Sequence, residues 1–181
     1  MTFISKTAVA LASAGMFFTL TGLAMAEKAG SDFHFAKDAA EGGMFEVAMG
    51  RVAVQKAQNN DVKQFGQRMI DDHSKAGEQL KGLASKDNLV LPDSLNAKDQ
   101  ATVNRLSSLT GSTFDREYMR QMVMDHETDI AAFQREANDG TNADLRNWAS
   151  NTLPTLHDHL RQAKETQRAI GFVSGNYFSR K

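Results

Sequence analysis

Residues 65–73, FGQRMIDDH, and residues 118–126, YMRQMVMDH, repeat one pattern. Each copy has an aromatic residue, a methionine four positions later, then a β-branched residue and a closing Asp-His pair. On an α-helix, the positions eight, four and three residues before a histidine share its face. The repeat therefore predicts two amphipathic helices whose histidines, His73 and His126, face the core.

The remainder of the chain also has the pattern of helices. The sequence contains two prolines, no strand-like alternation and long stretches with the helical period. Helices are expected at about residues 32–59, 61–86, 97–109, 113–137 and 142–170, with Pro154 kinking the last one. The predicted fold class is all-α: an antiparallel four-helix bundle, with the short helix in the long connection between its second and third long helices, which is long enough to cross the bundle as ferritin-like bundles require.

The first residues have the features of a secretory signal peptide. Lys6 is followed by an apolar run to about Leu23, and then by Ala24-Met25-Ala26, an A-x-A cleavage pattern. An uncleaved anchor is the alternative, but the run is short and is interrupted by polar residues and glycines. We expect a signal peptide at 1–26, a bundle domain at 27–170, a C-terminal tail at 171–181, a periplasmic or secreted location, and no membrane span after cleavage.

The composition narrows the chemistry that the chain can perform. There is no cysteine, so any metal site must be built from histidine, carboxylate and methionine. The formal net charge of −1 gives no basic excess of the kind that nucleic-acid-binding proteins have. A chain with 41% hydrophobic residues suits one soluble domain with a true core.

One carboxylate is predicted to face the same interior as the histidines. Glu46 is the single charge on a strip of small residues in the first helix, and burying an unpaired carboxylate is costly. Glu46 and His73 are about equally far from the turn at 59–61, so both should lie at the same height in a hairpin. His159 on the last helix also faces inward, but its height differs from that of His126 by roughly 9 Å at ideal rise. The predicted metal ligands are Glu46, His73, His126 and His159.

The other polar candidates have weaker claims. His157 lies almost opposite His159 on its helix and is expected at the surface, and His34 is assigned no role. The aspartate before each predicted ligand histidine either orients a histidine on a neighbouring helix, serves as a further metal ligand, or is a solvated flank. These aspartates are Asp72, Asp125 and Asp158. Met69 and Met122 are expected to pack in the core, although they are the available thioethers if a soft ion such as Cu(I) binds.

Four sequence blocks together resemble a known family. They are GGMFEVAMG (42–50), FGQRMIDDHSKA (65–76), MVMDHETDIAAF (122–133) and TLPTLHDHLRQA (152–163). In this order they resemble the secreted bacterial domain-of-unknown-function family 4142, over about residues 32–169. The resemblance implies an exported ferritin-like bundle with recurring polar positions at Glu46, His73, His126 and His159. It therefore favours His159 over His157, and it implies no particular activity.

The chain departs from the di-metal pattern of the wider ferritin-like class. No Glu-x-x-His is present, because Ile70, Val123 and Leu156 stand three residues before the histidines. One carboxylate and three imidazoles fit a mononuclear site for Zn, Cu or Fe, which would serve metal handling or envelope stress protection.

Two other functions remain open from the sequence. In the first, the protein is a structural or interaction protein of the envelope, with a buried Glu-His network and no metal. In the second, less favoured, it is a metal enzyme, which an open coordination position would indicate. The sequence leaves the ion, the substrate and the oligomeric state undetermined.

Overall fold

The structure is a computed structural model that describes the backbone of residues 18–176 and the side chains of residues 31–171. Within the described residues the chain forms five helices and no strand. They are α1 (Phe18–Lys56), α2 (Asn60–Lys86), α3 (Ala97–Ser107), α4 (Gly111–Asp139) and α5 (Ala143–Asn176). The prediction of an all-α chain with four long helices and one short helix is therefore confirmed.

Two helical hairpins make up the bundle. A short turn lets α2 fold back along α1, and a second short turn lets α5 fold back along α4. The hairpins pack together through α1 against α4 and α2 against α5, while α3 covers α1 and α4. Each of the four long helices therefore has two long neighbours and presents one face to a shared interior.

The turn between α1 and α2 is held by two polar side chains. The Asn59 side chain caps α2 by accepting from the backbone N–H groups of Asp61 and Val62, at 2.7 and 3.3 Å. Asp115 of α4 accepts from the N–H groups of Gln58 and Asn59, at 3.0 and 2.9 Å. The first contact is local to the turn, whereas the second joins the two hairpins.

Asp32 is a cap that sequence reasoning missed. This buried carboxylate at the start of the domain accepts from the backbone N–H groups of Thr141 and Asn142, at 3.0 and 2.7 Å, directly before α5 begins. A negative charge at the start of a helix is stabilised by the unpaired N–H groups there. The contact spans more than a hundred residues of sequence, so local patterns give no sign of it.

The predicted ends of the domain fall partly outside what is described. Of the predicted signal peptide, residues 1–17 lie outside the described residues, and α1 already begins at Phe18. At the other end, α5 continues beyond the predicted helix end at Ile170 and ends at Asn176, while residues 177–181 lie outside the described part. Among the described helices, none combines the length and the apolar character needed to cross a bilayer.

The hydrophobic core consists of two clusters at different heights in the bundle. One lies toward the α1–α2 turn, and its members include Met49, Phe65, Met69, Phe114, Tyr118 and Met122. The other lies toward the α4–α5 turn, and its members include Phe35, Leu80, Phe133, Leu145, Trp148 and Leu156. The buried residues His73, His126 and His159 each lie between members of the two clusters on their own helix, and Glu46 lies on α1 between Phe45 and Met49 of the first cluster.

The strip of small residues on α1 brings α2 close, as the sequence predicted. A Cβ added to Gly50 would lie 2.5 Å from the carbonyl oxygen of Gly66, and one added to Gly66 would lie 2.7 Å from the Cβ of Ala53. The backbones of α1 and α2 therefore cross too closely at these two positions for a residue with a Cβ to fit without a shift. Gly43, which lies before Gly50 on α1, differs because a Cβ there would meet no atom within 4 Å.

These two glycines allow a matched test. Gly50→Ala is expected to lower the free energy of unfolding by about 1–3 kcal/mol, because a backbone carbonyl cannot yield as a side chain can. Gly43→Ala is expected to raise it by about 0.5–1 kcal/mol, because alanine is the better helix former and nothing obstructs it. Urea unfolding of both variants measures the difference. Equal effects of the two substitutions would contradict the close crossing at Gly50.

Candidate metal centre

The structure brings all four predicted site residues together in the bundle interior. One comes from each long helix: Glu46 from α1, His73 from α2, His126 from α4 and His159 from α5. Their exposed fractions are 1%, 8%, 0% and 1%. One ring nitrogen from each histidine lies within 4.8 Å of one from each of the others.

The expected height mismatch between His126 and His159 does not separate them. Nε2 of His126 lies 3.2 Å from Nδ1 of His159. Side chains on a helix lean toward its N-terminus, so in an antiparallel pair they lean in opposite directions along the bundle. His159 leans back toward the α4–α5 turn and His126 leans away from it, which closes the gap that Cα positions alone predict.

A contact with the carboxylate of Asp72, which also accepts from Arg68, fixes the orientation of His159. Its Nε2 lies 2.8 Å from Oδ2 of Asp72, and Nε of Arg68 lies 3.2 Å from the same oxygen. Partial burial raises the pKa of Asp72, but hydrogen bonds from His159 and Arg68 outweigh this and hold that pKa below its usual value. Asp72 is therefore a carboxylate and accepts, so Nε2 of His159 carries the proton and Nδ1 carries the lone pair.

His126 is fixed in the complementary state by its own helix. Its Nδ1 lies 2.8 Å from the carbonyl oxygen of Met122, which can only accept. The proton is therefore on Nδ1, and Nε2 carries a lone pair. Since this Nε2 faces Nδ1 of His159 at 3.2 Å, two lone pairs point at each other with no proton between them.

His73 has one ring nitrogen beside Glu46 and one free. Its Nδ1 lies 2.8 Å from Oε2 of Glu46, and Nδ1 of His126 lies 3.3 Å from Oε1. Neither pair has the angles of a hydrogen bond, so both buried oxygens of Glu46 lack a hydrogen-bond partner. Nε2 of His73 is also buried without a partner. Glu46 thus lies against the Nδ1 side of two imidazoles.

The histidines of the cluster are neutral near pH 7. Burial lowers the pKa of His73 to about 4 and that of His159 to about 3, and it also lowers the pKa of His126. Protonation therefore does not supply the hydrogen that the facing nitrogens lack. Burial raises the pKa of Glu46 to about 7, although the neighbouring His126 acts in the opposite direction.

Asp129 is a site residue that the sequence analysis missed. Burial raises its pKa well above the ordinary value, and the nearby charge of Glu46 adds to the shift while His73 opposes it. Its position three residues after His126 puts it on the same face of α4, and that spacing is the signal that would have found it. A second carboxyl group, partly buried, therefore lies beside the cluster.

The three Asp-His pairs have different surroundings. Asp72 contacts a histidine of a neighbouring helix, which is the orienting role considered from the sequence. Asp125 accepts from Gln121, and Asp158 is exposed and bonded to Arg161. His157 and His34 are exposed, while Met69 and Met122 are fully buried in the core.

A cavity of about 700 Å³ opens beside the histidine cluster. At its inner end it reaches Glu46, Asp72, His73, Asp129 and His159. Away from the cluster its walls are mainly apolar, and they include Leu80, Phe133, Trp148 and Leu156. The site is thus buried in the bundle on one side and has free space on the other.

The donor set fits a transition-metal ion. An ion with metal–nitrogen bonds of about 2.0–2.1 Å in tetrahedral geometry needs nitrogens about 3.3 Å apart. The nitrogens of His126 and His159 have this spacing, and one ring nitrogen of His73 lies within 4.8 Å of a nitrogen of each. A bound cation would remove the repulsion between the lone pairs of His126 and His159. It would also give the unpartnered Nε2 of His73 a partner.

Comparisons with known proteins agree with the fold. The sequence model described as "Domain of unknown function (DUF4142)" matches residues 19–166, which confirms the resemblance found in the four sequence blocks. No curated protein sequence shows a significant match to the chain.

Solved structures with the same fold share little sequence with this chain. A DUF305 fragment from Deinococcus radiodurans has 12% identity, covers 78% of this chain and 95% of its own, and gives a TM-score of 0.67. A DUF305 protein from Streptomyces coelicolor has 15% identity, coverages of 78% and 92%, and a TM-score of 0.68. CopM in its Cu(I)-bound form has 16% identity, coverages of 76% and 96%, and a TM-score of 0.65. At these identities the likeness concerns the fold.

Proposed function

The chain belongs to the DUF4142 family, whose function is unknown, and we propose that it is an exported bundle of the ferritin-like kind that binds one transition-metal ion. The ion would lie among His73, His126 and His159, with Glu46 beside it as the carboxylate of the site. Metal handling or protection of the envelope against metal stress would follow from such a site.

The facing lone pairs of His126 and His159 carry this proposal. Two neutral imidazoles 3.2 Å apart repel each other when both present nitrogen lone pairs. Their hydrogen bonds to Met122 and Asp72 occupy the only protons that would relieve this. A buried arrangement of this kind is costly without a cation, and it is the arrangement that metal-binding histidines adopt when their second nitrogens are hydrogen-bonded to carbonyl and carboxylate oxygens.

The ligand chemistry favours a single borderline or soft ion. Three imidazoles suit Zn, Cu and Fe. Glu46 lies against the Nδ1 side of two imidazoles, so it would act by orienting them and balancing charge, or as a further ligand after side-chain rotation. Because CopM, which shares the fold, is known with Cu(I) bound, Cu(I) is the first ion to test beside Zn²⁺.

An exported location is part of the proposal and is supported by the sequence. Lys6, the apolar run after it and Ala24-Met25-Ala26 have the order of a cleavable signal. The lack of cysteine also means that the site needs no reduced thiolate and suits an oxidising compartment.

The deciding experiment is elemental analysis of the mature protein, purified without an affinity tag from its native compartment. It is followed by titration with Zn²⁺, Cu(I) and Fe²⁺. About one ion per chain would support the proposal and identify the ion. A protein with no bound metal and no tight binding of any of the three ions would overturn it.

The outer contact to His159 gives a more specific prediction. Asp72→Asn is expected to weaken metal binding by about 10- to 100-fold, because an amide is a poorer acceptor and no longer fixes the proton on Nε2. Asp71→Asn is the matched control, since Asp71 is exposed and bonds only to Gln67 on its own helix. Competition with a chromogenic chelator measures both affinities. Equal affinities in the two variants would show that the Asp72–His159 contact does not serve the metal.

A metal-free structural role is the second candidate, and one observation favours it. Nδ1 of His73 lies 2.8 Å from Glu46, the spacing of a strong ion pair, so a small rotation would create a buried polar link between α1 and α2. Such a network would fix the register of the hairpin without an ion. This function would be favoured if the purified protein contains no ion and its histidines still occupy these positions.

A further inference from the structure

The cavity beside the histidines is kept open by glycines that serve no packing purpose. Gly43 on α1 and Gly77 on α2 line it, and a Cβ at either would meet no atom within 4 Å. Glycine within a helix costs about 1 kcal/mol relative to alanine. At Gly50 and Gly66 a close helix crossing explains that cost, whereas at Gly43 and Gly77 the only result is empty space.

A buried polar atom without a partner belongs to a side chain at the inner end of this space. Nε2 of His73 is unpartnered, its side chain is more than nine-tenths buried, and His73 lines the cavity. His159 and Asp129 line the same end. An ion held there would have three imidazole ligands and a remaining coordination position for a group that enters from the cavity.

The walls determine what kind of molecule would fit. A volume of about 700 Å³ is in the range of small-molecule sites, and its apolar walls suit a flat or aliphatic body. The charged residues of the lining are four carboxylates and two lysines: Glu46, Asp72, Asp129, Asp144, Lys75 and Lys86. Lys86 pairs with Asp144 at 3.1 Å. Both lysines are exposed, so the lining supplies no buried cationic side chain to pair with an anionic ligand.

We propose that the cavity binds a small uncharged nitrogen base with an apolar body, whose nitrogen donor takes the open position on the histidine-bound ion. This inference rests on the proposed function. It adds a second ligand, of stated chemistry, to the metal site. The apolar body would lie against Trp148 and Leu156, and the donor would point at the histidines.

Trp148 makes the test direct, because it lines the cavity and is the single tryptophan of the sequence. The mature protein is first loaded with Zn²⁺, and its zinc content and affinity are measured separately. Benzimidazole is then titrated while Trp148 fluorescence is followed. Indene, which has the same bicyclic body but no nitrogen, and benzoate, which is anionic, are the comparison probes.

Benzimidazole is expected to quench the fluorescence of the zinc-loaded protein in a saturable way. Indene and benzoate should bind the zinc-loaded protein at least about tenfold more weakly. Benzimidazole should bind the zinc-free protein more weakly by the same factor. Gly43→Leu is expected to weaken benzimidazole binding at least about tenfold and to leave zinc affinity within about threefold. Gly171→Leu is the control, because its Cβ also meets open space but lies outside the cavity lining. Gly77→Leu repeats the blockade from α2 if Gly43→Leu fails to fold.

The outcomes separate the two proposals. Zinc-loaded protein that does not bind benzimidazole, or that binds it equally well in the Gly43→Leu and Gly77→Leu variants, overturns the cavity inference and leaves the metal site standing. Equal binding of indene and benzimidazole overturns the donor assignment. A chain that takes up no zinc, Cu(I) or iron fails at the earlier measurement and overturns the proposed function itself.

Discussion

Replacing His126 by alanine is expected to lower metal affinity at least about 100-fold. Losing an outer hydrogen-bond partner already costs about 10- to 100-fold, and His126 would be a direct ligand with no spare group to take its place. His126 is fully buried, so water does not readily occupy the position either. Titration with Zn²⁺ and Cu(I) in competition with a chelator measures the loss. His73→Ala and His159→Ala should have losses of the same order.

His157→Ala is the matched control for this prediction. His157 lies two residues before His159 on the same helix but is exposed, so its loss should leave metal affinity unchanged. The folded state of each variant can be checked by helical circular dichroism and urea unfolding without metal. Equal losses for His157→Ala and His126→Ala would place the ion elsewhere and refute the assigned site.

Replacing Glu46 by glutamine is expected to stabilise the metal-free protein at pH 8 by about 3 kcal/mol. Burial raises the pKa of Glu46 from 4.5 to about 7, so above pH 7 the folded state holds a charged carboxylate whose oxygens lack hydrogen-bond partners. A shift of this size corresponds to about 1.4 kcal/mol per pH unit of pKa change. The glutamine side chain has nearly the same shape and no charge.

The pH dependence of this effect has a defined sign. Between pH 4.5 and 7 the folded state keeps the Glu46 proton and the unfolded state releases it, so the contribution of Glu46 to stability falls as pH rises. Wild type and Glu46→Gln should therefore be about equally stable at pH 4.5 and should diverge up to about pH 7. The histidines are present in both proteins, so their own titration largely cancels in the difference.

Urea unfolding at a series of pH values in the presence of a chelator measures this divergence. Glu78→Gln is the control, because Glu78 is exposed and its surface pair with Lys81 contributes little. A constant difference between wild type and Glu46→Gln across this pH range would contradict the raised pKa. Added Zn²⁺ should reverse the order at pH 8, since the ion gives the carboxylate charge a counterpart that glutamine cannot use.

The sequence determined the helices and the faces that they bury. The repeat at 65–73 and 118–126 has the spacing of a helix face, so His73 and His126 were predicted inside. Glu46 on its strip of small residues was predicted on the same interior, and the turn at 59–61 was predicted between the first two helices. These predictions depend on periodicity and local capping within one helix or turn, which the order of residues fixes directly.

Tertiary structure alone decided what meets across the bundle. The Asp72–His159 contact and the cap on α5 by Asp32 depend on helix crossing and on which way side chains lean. The height of His159 was misjudged because Cα counting ignores that lean, which has opposite directions in antiparallel helices. The proton on Nε2 of His159 was likewise set by Asp72 on another helix, whereas the proton on Nδ1 of His126 was set by the carbonyl of Met122 on its own helix.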